Sequence, residues 1–356
     1  MSRTEKPKIK NSWKKKILLI RLRRIGDILM TTPAVTALKD HFPESRLFYI
    51  VEEPYRELVE GNPYLDEVII LPAGQSRQEF LALARKIRKS RFDAVVDFHG
   101  GPRTALLTLF SGAKKKIGYR VKYKNFIYHH KISRGSPAYP VHSVENHLNL
   151  VRTLGVPFEL RPPLIMPEAK GEERNKVESL IEINKLKDFN LIVFHISAGN
   201  SFRHWGEENI IHLLSMLKKH KELRVILVGS KEDQSASNFI LKKSPQVAVN
   251  FTGLLNLREL RYLIQKASFF IGPDSGPMHI AATTDTPIIA YFGPTLPAHF
   301  SPWMKDAVIL QKELNCRPCR QRKCIHGDFR CIRTIFPQDV YQAIMGDVPQ
   351  KDTHSP

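Results

Sequence analysis

The chain has 356 residues, enough for about two domains at roughly 100–200 residues each. Its 42% hydrophobic and 25% charged residues are those of a globular protein with a sizeable core, which excludes collagen-like, mucin-like and wholly disordered readings. Fifty-five Lys and Arg against 35 Asp and Glu give a net charge of +20, with +15 of it in residues 1–170, a field that suits an acidic substrate, a nucleic acid or an anionic membrane surface and equally describes a solvated basic face.

The basic arm of residues 1–14 is followed by only four apolar residues, Ile17 to Ile20, before Arg21. That is shorter than a signal-peptide core and far below the ~18 residues of a membrane span, so the chain is expected to be cytoplasmic. KKILLIRL (15–22) has the β-branched, apolar character of a buried strand. A turn at Arg23–Asp27 leads into a helical stretch from Ile28 to Phe42 with Pro33 near its start. Strands are expected at 46–52, 67–72 and 92–100, with a basic helix at 78–89 between the last two. RPPLIMPEAKGEE (161–173) is proline-rich, then charged, and reads as a linker. Beyond it, strands at 190–197, 223–230, 268–274 and 287–293 alternate with helices at 207–220, 256–266 and from 278. Alternation of this kind predicts two α/β, doubly wound parallel sheets, residues 15–165 and 166–340, with ligands at the carboxyl ends of the strands. Residues 341–356 form the tail, of which 348–356 are expected to be disordered.

Three segments carry candidate chemistry. Gly26-Asp27 follows the first strand; Asp27 suits the N-cap of the next helix, which spacing favours, or a general base at the sheet edge. SAGNSFRHW (197–205) places small residues at a strand end, where backbone N–H groups approach phosphate and Arg203 is a bidentate donor, although an ordinary loop over a core Trp205 has the same pattern. GPDSGPMHIAA (272–282) runs a strand through Asp274, Ser275 and Gly276 into a helix holding Pro277 and His279, the layout of an anion site or of a capped structural turn. It is neither a Walker loop nor G-x-G-x-x-G.

These segments, with ILLIRLRRIGDILMTTPAVTALK (17–39), KIGYR (116–120), SFRHWGEENIIHLL (201–214), LLNLRELRYLI (254–264) and PIIAYFGPT (287–295), resemble the ADP-heptose:lipopolysaccharide heptosyltransferases, glycosyltransferase family nine. The likeness spans about residues 15–340 in order. It is greatest to the heptosyltransferase II branch, whose cysteine window the segment CRPCRQRKCIHGDFRC (316–331) also resembles. It implies a GT-B architecture, two Rossmann-like domains facing across a cleft, with the acceptor on the first and ADP-L-glycero-D-manno-heptose on the second. Closure would bring the two together for an inverting transfer. Asp27 then matches the general base, and Ala198, Gly199, Arg203, Asp274, Ser275, Gly276, Pro277 and His279 the donor site. Arg203 stands where the family typically has Lys, a departure that keeps charge and changes geometry. An anionic, lipid-linked lipopolysaccharide acceptor at the inner face of the inner membrane suits the basic first half, with Arg103, Lys114, Arg120 and Lys122 as its candidate contacts and peripheral membrane contact expected.

Catalysis of this kind requires no cofactor. The spacing C-x2-C-x4-C-x6-C of Cys316, Cys319, Cys324 and Cys331 fits a structural zinc site or reduced structural thiols. A GT-B enzyme using another nucleotide sugar, a transferase or epimerase, is the alternative. A nucleic-acid-binding protein would explain the charge, with YKNFIYHHK (123–131) as its best segment, yet leaves Asp27 and the doubled α/β pattern unexplained, and no nucleic acid is expected as partner.

Overall fold

The run KILLI buries four of its five residues because its strand, β1 (Lys16–Ile20), lies in the middle of a parallel sheet covered on both faces. The structure, a computed structural model, describes residues 14–72, 74, 76–121, 126–136 and 139–346. The chain forms two compact units, Met1–Ile165 and Met166–Pro356.

In the first unit, β2 (Arg46–Glu52), β3 (Glu67–Leu71), β4 (Ala94–Asp97), β5 (Lys115–Tyr119) and β6 (His130–Ile132) join β1 in the order β3-β2-β1-β4-β5-β6, every pair parallel. The helices are α1 (Ile25–Leu29), α2 (Thr32–His41), α3 (Arg77–Lys89), α4 (Pro102–Phe110) and α5 (Ser143–Arg152). The single helix expected from Ile28 to Phe42 is instead two. Thr31 and Thr32 donate their hydroxyls to the carbonyls of Ile28 and Leu29, both at 2.7 Å, closing α1 before Pro33 opens α2. The inner faces of α3 and α4 bury Ala84, Ile87 and Leu107 against Leu18, Ile20, Phe48, Ile50 and Val95.

The second unit repeats the plan. Its strands are β7 (Asn190–His195), β8 (Leu223–Val228), β9 (Ala248–Asn250), β10 (Phe269–Pro273), β11 (Ile288–Phe292) and β12 (Ala307–Gln311), in the order β12-β11-β10-β7-β8-β9. Its helices are α6 (Gly171–Ile183), α7 (Glu207–Leu217), α8 (Gln234–Lys243), α9 (Leu257–Gln265), α10 (Gly276–Ala281), α11 (Pro297–Phe300), α12 (Arg330–Arg333) and α13 (Pro337–Met345). The core centres on Trp205, which no solvent reaches, stacked 6.2 Å from Phe194 and 5.3 Å from Tyr291. Its indole donates to the Ile335 carbonyl at 2.6 Å. The tail therefore begins later than residue 341, because Val340, Ala343 and Ile344 of α13 belong to this core. Residues 348–356 lie outside the described residues.

Both sheets thus have the doubly wound order in which two neighbouring strands, β1 and β4 or β7 and β10, send their connections to opposite sides. At that point the loops part and leave a crevice at the carboxyl edge. Among the described residues no helix is long and apolar enough to cross a membrane.

Candidate functional site

In the first unit the loops after β1 and β4 meet at this switch point. Arg24, the residue before α1, has φ 71° and ψ 124°, a backbone conformation that costs a non-glycine residue about 1–3 kcal/mol. Asp27 lies in the first turn of α1 and makes no side-chain cap, so the capping role that spacing favours is not the one it takes. Its carboxylate instead pairs with Arg21 at 2.5 Å and keeps 29% of its side chain exposed. Arg21 is buried at the end of β1, and its other terminal nitrogen donates to the Phe98 carbonyl after β4 at 2.8 Å. One guanidinium therefore ties the two strand ends together and aims Asp27 at the crevice.

Beside it stands His99. Burial, together with the Arg21, Arg23 and Arg134 cations, pushes its imidazole down to about 4 against the opposing pull of Asp27, so the ring is neutral. The backbone around it is held by buried Asp97, which accepts from the N–H groups of His99 and Gly100, both at 2.9 Å, and from the Tyr128 hydroxyl at 2.7 Å. Burial pushes the Asp97 carboxyl up, and these hydrogen bonds oppose it. Tyr119, at the end of β5, bonds His147 at 2.6 Å and carries the Arg134 guanidinium 3.8 Å over its ring.

The four candidate acceptor cations do not gather here as a set. Arg120 directly follows β5 at the carboxyl edge and is exposed. Arg103 pairs with Glu52 at 2.8 Å, which offsets its charge. Lys114 precedes β5 and so stands at the amino edge of the sheet, the length of a five-residue strand from the carboxyl edge beyond which Asp27 lies. Its place in a lysine run says nothing about which end of the strand it occupies. Lys122 lies outside the described residues.

In the second unit the loops after β7 and β10 come together. Asp274 is buried; its carboxylate accepts from the Thr295 hydroxyl at 2.6 Å and lies 3.3 Å from Arg203. Arg203 also donates to the Asp274 carbonyl at 2.8 Å and, through Nε, to Gln321 at 3.1 Å. Asn200 holds the same Gln321 oxygen at 2.8 Å. Ser275 shares a 3.2 Å hydrogen bond with His195, whose burial pushes its pKa down to about 4. Ala198 and the exposed Gly199, at φ 60°, lie in the loop that carries Arg203. Gly276 and Pro277 open α10, and His279 is buried within it. Arg203, Asp274 and Ser275 are thus brought to one strand edge, with a cation clamped between two loops.

Sequence reasoning missed Arg21, His99, Arg134, His195, Thr295 and Gln321. A cation closing an apolar strand just before Gly26-Asp27 was the available signal for Arg21. Gln321 left none, since it reaches Arg203 across 118 positions.

The zinc expectation falls on Cys316, Cys319, Cys324 and Cys331, which all have part of their surface exposed. All four are free thiols, and among the described residues no three His, Cys, Asp or Glu side chains form a group that could hold a metal ion. Burial and the three neighbouring thiols push the Cys331 thiol up, whereas hydrogen bonds from the backbone of Phe329, His326 and Gly327 pull Cys324 down. The segment is tied to the loop after β11: the Cys319 N–H donates to the Pro294 carbonyl at 2.9 Å, and Arg317 donates to the Thr295 carbonyl at 2.7 Å.

Residues 80–329 match the family described as Glycosyltransferase family 9 (heptosyltransferase). The chain is 25% identical over 342 residues to lipopolysaccharide heptosyltransferase 2 of Salmonella typhimurium, covering 92% of this chain and 97% of that protein. Among solved structures it is similar to a glycosyl transferase family 9 protein of Veillonella parvula, with TM-score 0.84, 22% identity and coverage of 93% and 96%. The ADP-heptose lipopolysaccharide heptosyltransferase II of E. coli follows with TM-score 0.75, 22% identity and coverage of 93% and 98%. At these identities the structural matches speak to the fold, which bears out the doubly wound α/β expectation.

Proposed function

Because the chain belongs to glycosyltransferase family 9, the heptosyltransferases, we propose that it moves L-glycero-D-manno-heptose from ADP-heptose to an inner-core lipopolysaccharide acceptor. Its similarity to lipopolysaccharide heptosyltransferase 2 along nearly the whole chain supports this substrate class. The observation that carries the reading is the chemistry at the two switch points. The first sheet presents a carboxylate held by a buried arginine, and the second presents an arginine clamped beside a buried aspartate and hydroxyls.

In this reading the first unit takes the acceptor and the second the donor. The acceptor hydroxyl oxygen forms the new bond to the anomeric carbon, and its proton passes to Asp27. The bond from that carbon to the diphosphate oxygen breaks, and its electron pair leaves with ADP. Attack opposite the leaving group inverts the centre. Arg203, with Ser275 and the 198–199 backbone, meets the charge that grows on the diphosphate. Arg21 pairs with Asp27 and holds it in place, and neutral His99 adds no competing positive charge. Arg120 remains the candidate cation for an acidic acceptor group. The lipid-linked acceptor places the chain at the inner face of the inner membrane.

The test is incubation of the full chain with ADP-heptose and lipopolysaccharide truncated before the heptose, following ADP release and the acceptor's mass. Release of ADP with gain of one heptose is expected. Turnover of UDP-glucose, with ADP-heptose left intact, would overturn the donor assignment and leave the fold.

A further inference from the structure

Helices α3 and α4 leave part of their outer faces without cover. Between them runs a groove of about 380 Å³ lined by Leu81, Ala84, Arg85, Arg88, Lys89 and Phe110. On α3 the exposed members fall at i, i+4, i+7 and i+8, so one helical face carries an apolar residue followed by three cations. On α4, Leu106 and Phe110 stand one turn apart, 42% and 41% exposed, and Leu81 is 45% exposed. The stretch 77–91 holds six basic residues and one acidic. Among the described residues Lys86 pairs with Glu67 at 3.9 Å, while Arg85, Arg88 and Lys89 have no acidic partner. Exposed apolar side chains ringed by long cationic ones suit a surface that meets an amphipathic partner.

We propose that this groove docks the chain on an anionic phospholipid bilayer, with Leu81, Leu106 and Phe110 entering the acyl boundary and Arg85, Arg88 and Lys89 meeting lipid phosphates. Charge complementarity selects this occupant: a cationic rim is drawn to the negative surface potential, and the flexible stems of Arg and Lys lie along apolar surface while their heads reach phosphate. A nucleic acid would use the cations and leave three exposed apolar side chains without a partner. The inference rests on the proposed function for its lipid-linked acceptor, but it concerns a surface away from the strand edges that carry the candidate chemistry.

The experiment is flotation of the full chain with vesicles of phosphatidylcholine alone or mixed with phosphatidylglycerol, without donor or acceptor. Binding only to the anionic vesicles is expected. Arg85→Glu/Arg88→Glu/Lys89→Glu should weaken it on the order of tenfold or more. Leu81→Ser/Phe110→Ser should abolish the part of the binding that survives roughly 0.5 M salt, where screening leaves only apolar contact. Lys242→Glu/Lys243→Glu, an exposed pair on α8, controls for net charge and should bind as wild type does. Unchanged thermal melting shows that each variant folds. Equal binding to both vesicle types, or full binding by the charge-reversed groove variant, overturns the proposal. So does a wild-type dimer that ignores vesicles and that Leu81→Ser/Phe110→Ser converts to a monomer, since the groove would then face a second copy. Transfer to a delipidated acceptor is measured separately, so failure of vesicle binding and failure of the heptosyltransferase reading remain distinct.

Discussion

Arg21 holds Asp27 at 2.5 Å while its second terminal nitrogen binds the Phe98 carbonyl, so the carboxylate of one loop is fixed to the backbone of another. A base positioned in this way is expected to contribute roughly 10²–10⁴-fold to the rate. Asp27→Asn should therefore lower kcat by that order and leave ADP affinity within about twofold, because the substitution removes proton acceptance and little else. Calorimetric titration with ADP beside a turnover assay separates the two quantities. Near-normal kcat in Asp27→Asn removes Asp27 from the base role.

Arg203 uses separate nitrogens for Asp274 and Gln321. Lysine has one nitrogen and cannot reproduce both contacts at once. Arg203→Ala should lower kcat/KM for the donor roughly 10- to 100-fold, the range for losing a charged hydrogen-bond donor. Arg203→Lys should recover part of that loss, and Gln321→Ala should cost less than either, since it loosens the cation without removing it. If Arg203→Ala matches the wild type for ADP-heptose, the cation is structural and the diphosphate lies elsewhere.

Most strands of both sheets could be read from the chain because buried parallel strands are short apolar runs with little alternation, as in KILLI and IIAYF. Four strands escape that reading: β6 and β9 have only three residues, β5 opens on two lysines, and β12 is half-buried along most of its length. Asp27 and the 274–279 turn were legible because strand, glycine turn and helix follow one another locally. Their partners were not. Thr295 and Gln321 reach Asp274 and Arg203 only through the order of the strands, and Arg21 looks like the tail of a core strand until the turn at Arg24 swings Asp27 back to it. Lys114 shows the converse: a local run of lysines does not reveal which edge of the sheet each one occupies, and β5 sets Lys114 at the amino edge.

Buried histidines make the fold sensitive to acid. Burial lowers His195 to about 4 and His147 well below its ordinary value, so the unfolded chain, with imidazoles near 6.5, takes up protons first. Stability from these neutral rings is complete above about pH 6.5 and is lost as pH falls toward 4. For His195 alone the loss amounts to about 3 kcal/mol at the acid end. Tm should fall across this window, and His195→Gln should show a shallower fall despite a lower Tm at neutral pH, because its hydrogen bond with Ser275 is weakened. Parallel Tm–pH curves for variant and wild type would discard His195 as a source of the slope.

Gly118, in the KIGYR segment, has no side chain because Tyr128 occupies that space. A Cβ there would overlap the Tyr128 ring, with Cζ only 2.8 Å away. That ring cannot retreat freely, since its hydroxyl donates to Asp97, which in turn holds the backbone N–H groups of His99 and Gly100 beside the candidate base. Gly118→Ala should cost about 1–3 kcal/mol by overpacking. It should also lower kcat more than donor affinity, because the displaced tyrosine loosens the 98–100 loop against which Arg21 is braced. Tyr128→Phe separates the two effects: it keeps the ring and deletes the hydrogen bond, so it should leave Asp97 one donor short, with a loss of about 1–3 kcal/mol. Denaturant melts and steady-state kinetics on both variants decide the matter. Wild-type stability in Gly118→Ala would show that β5 and Tyr128 can move apart at no cost.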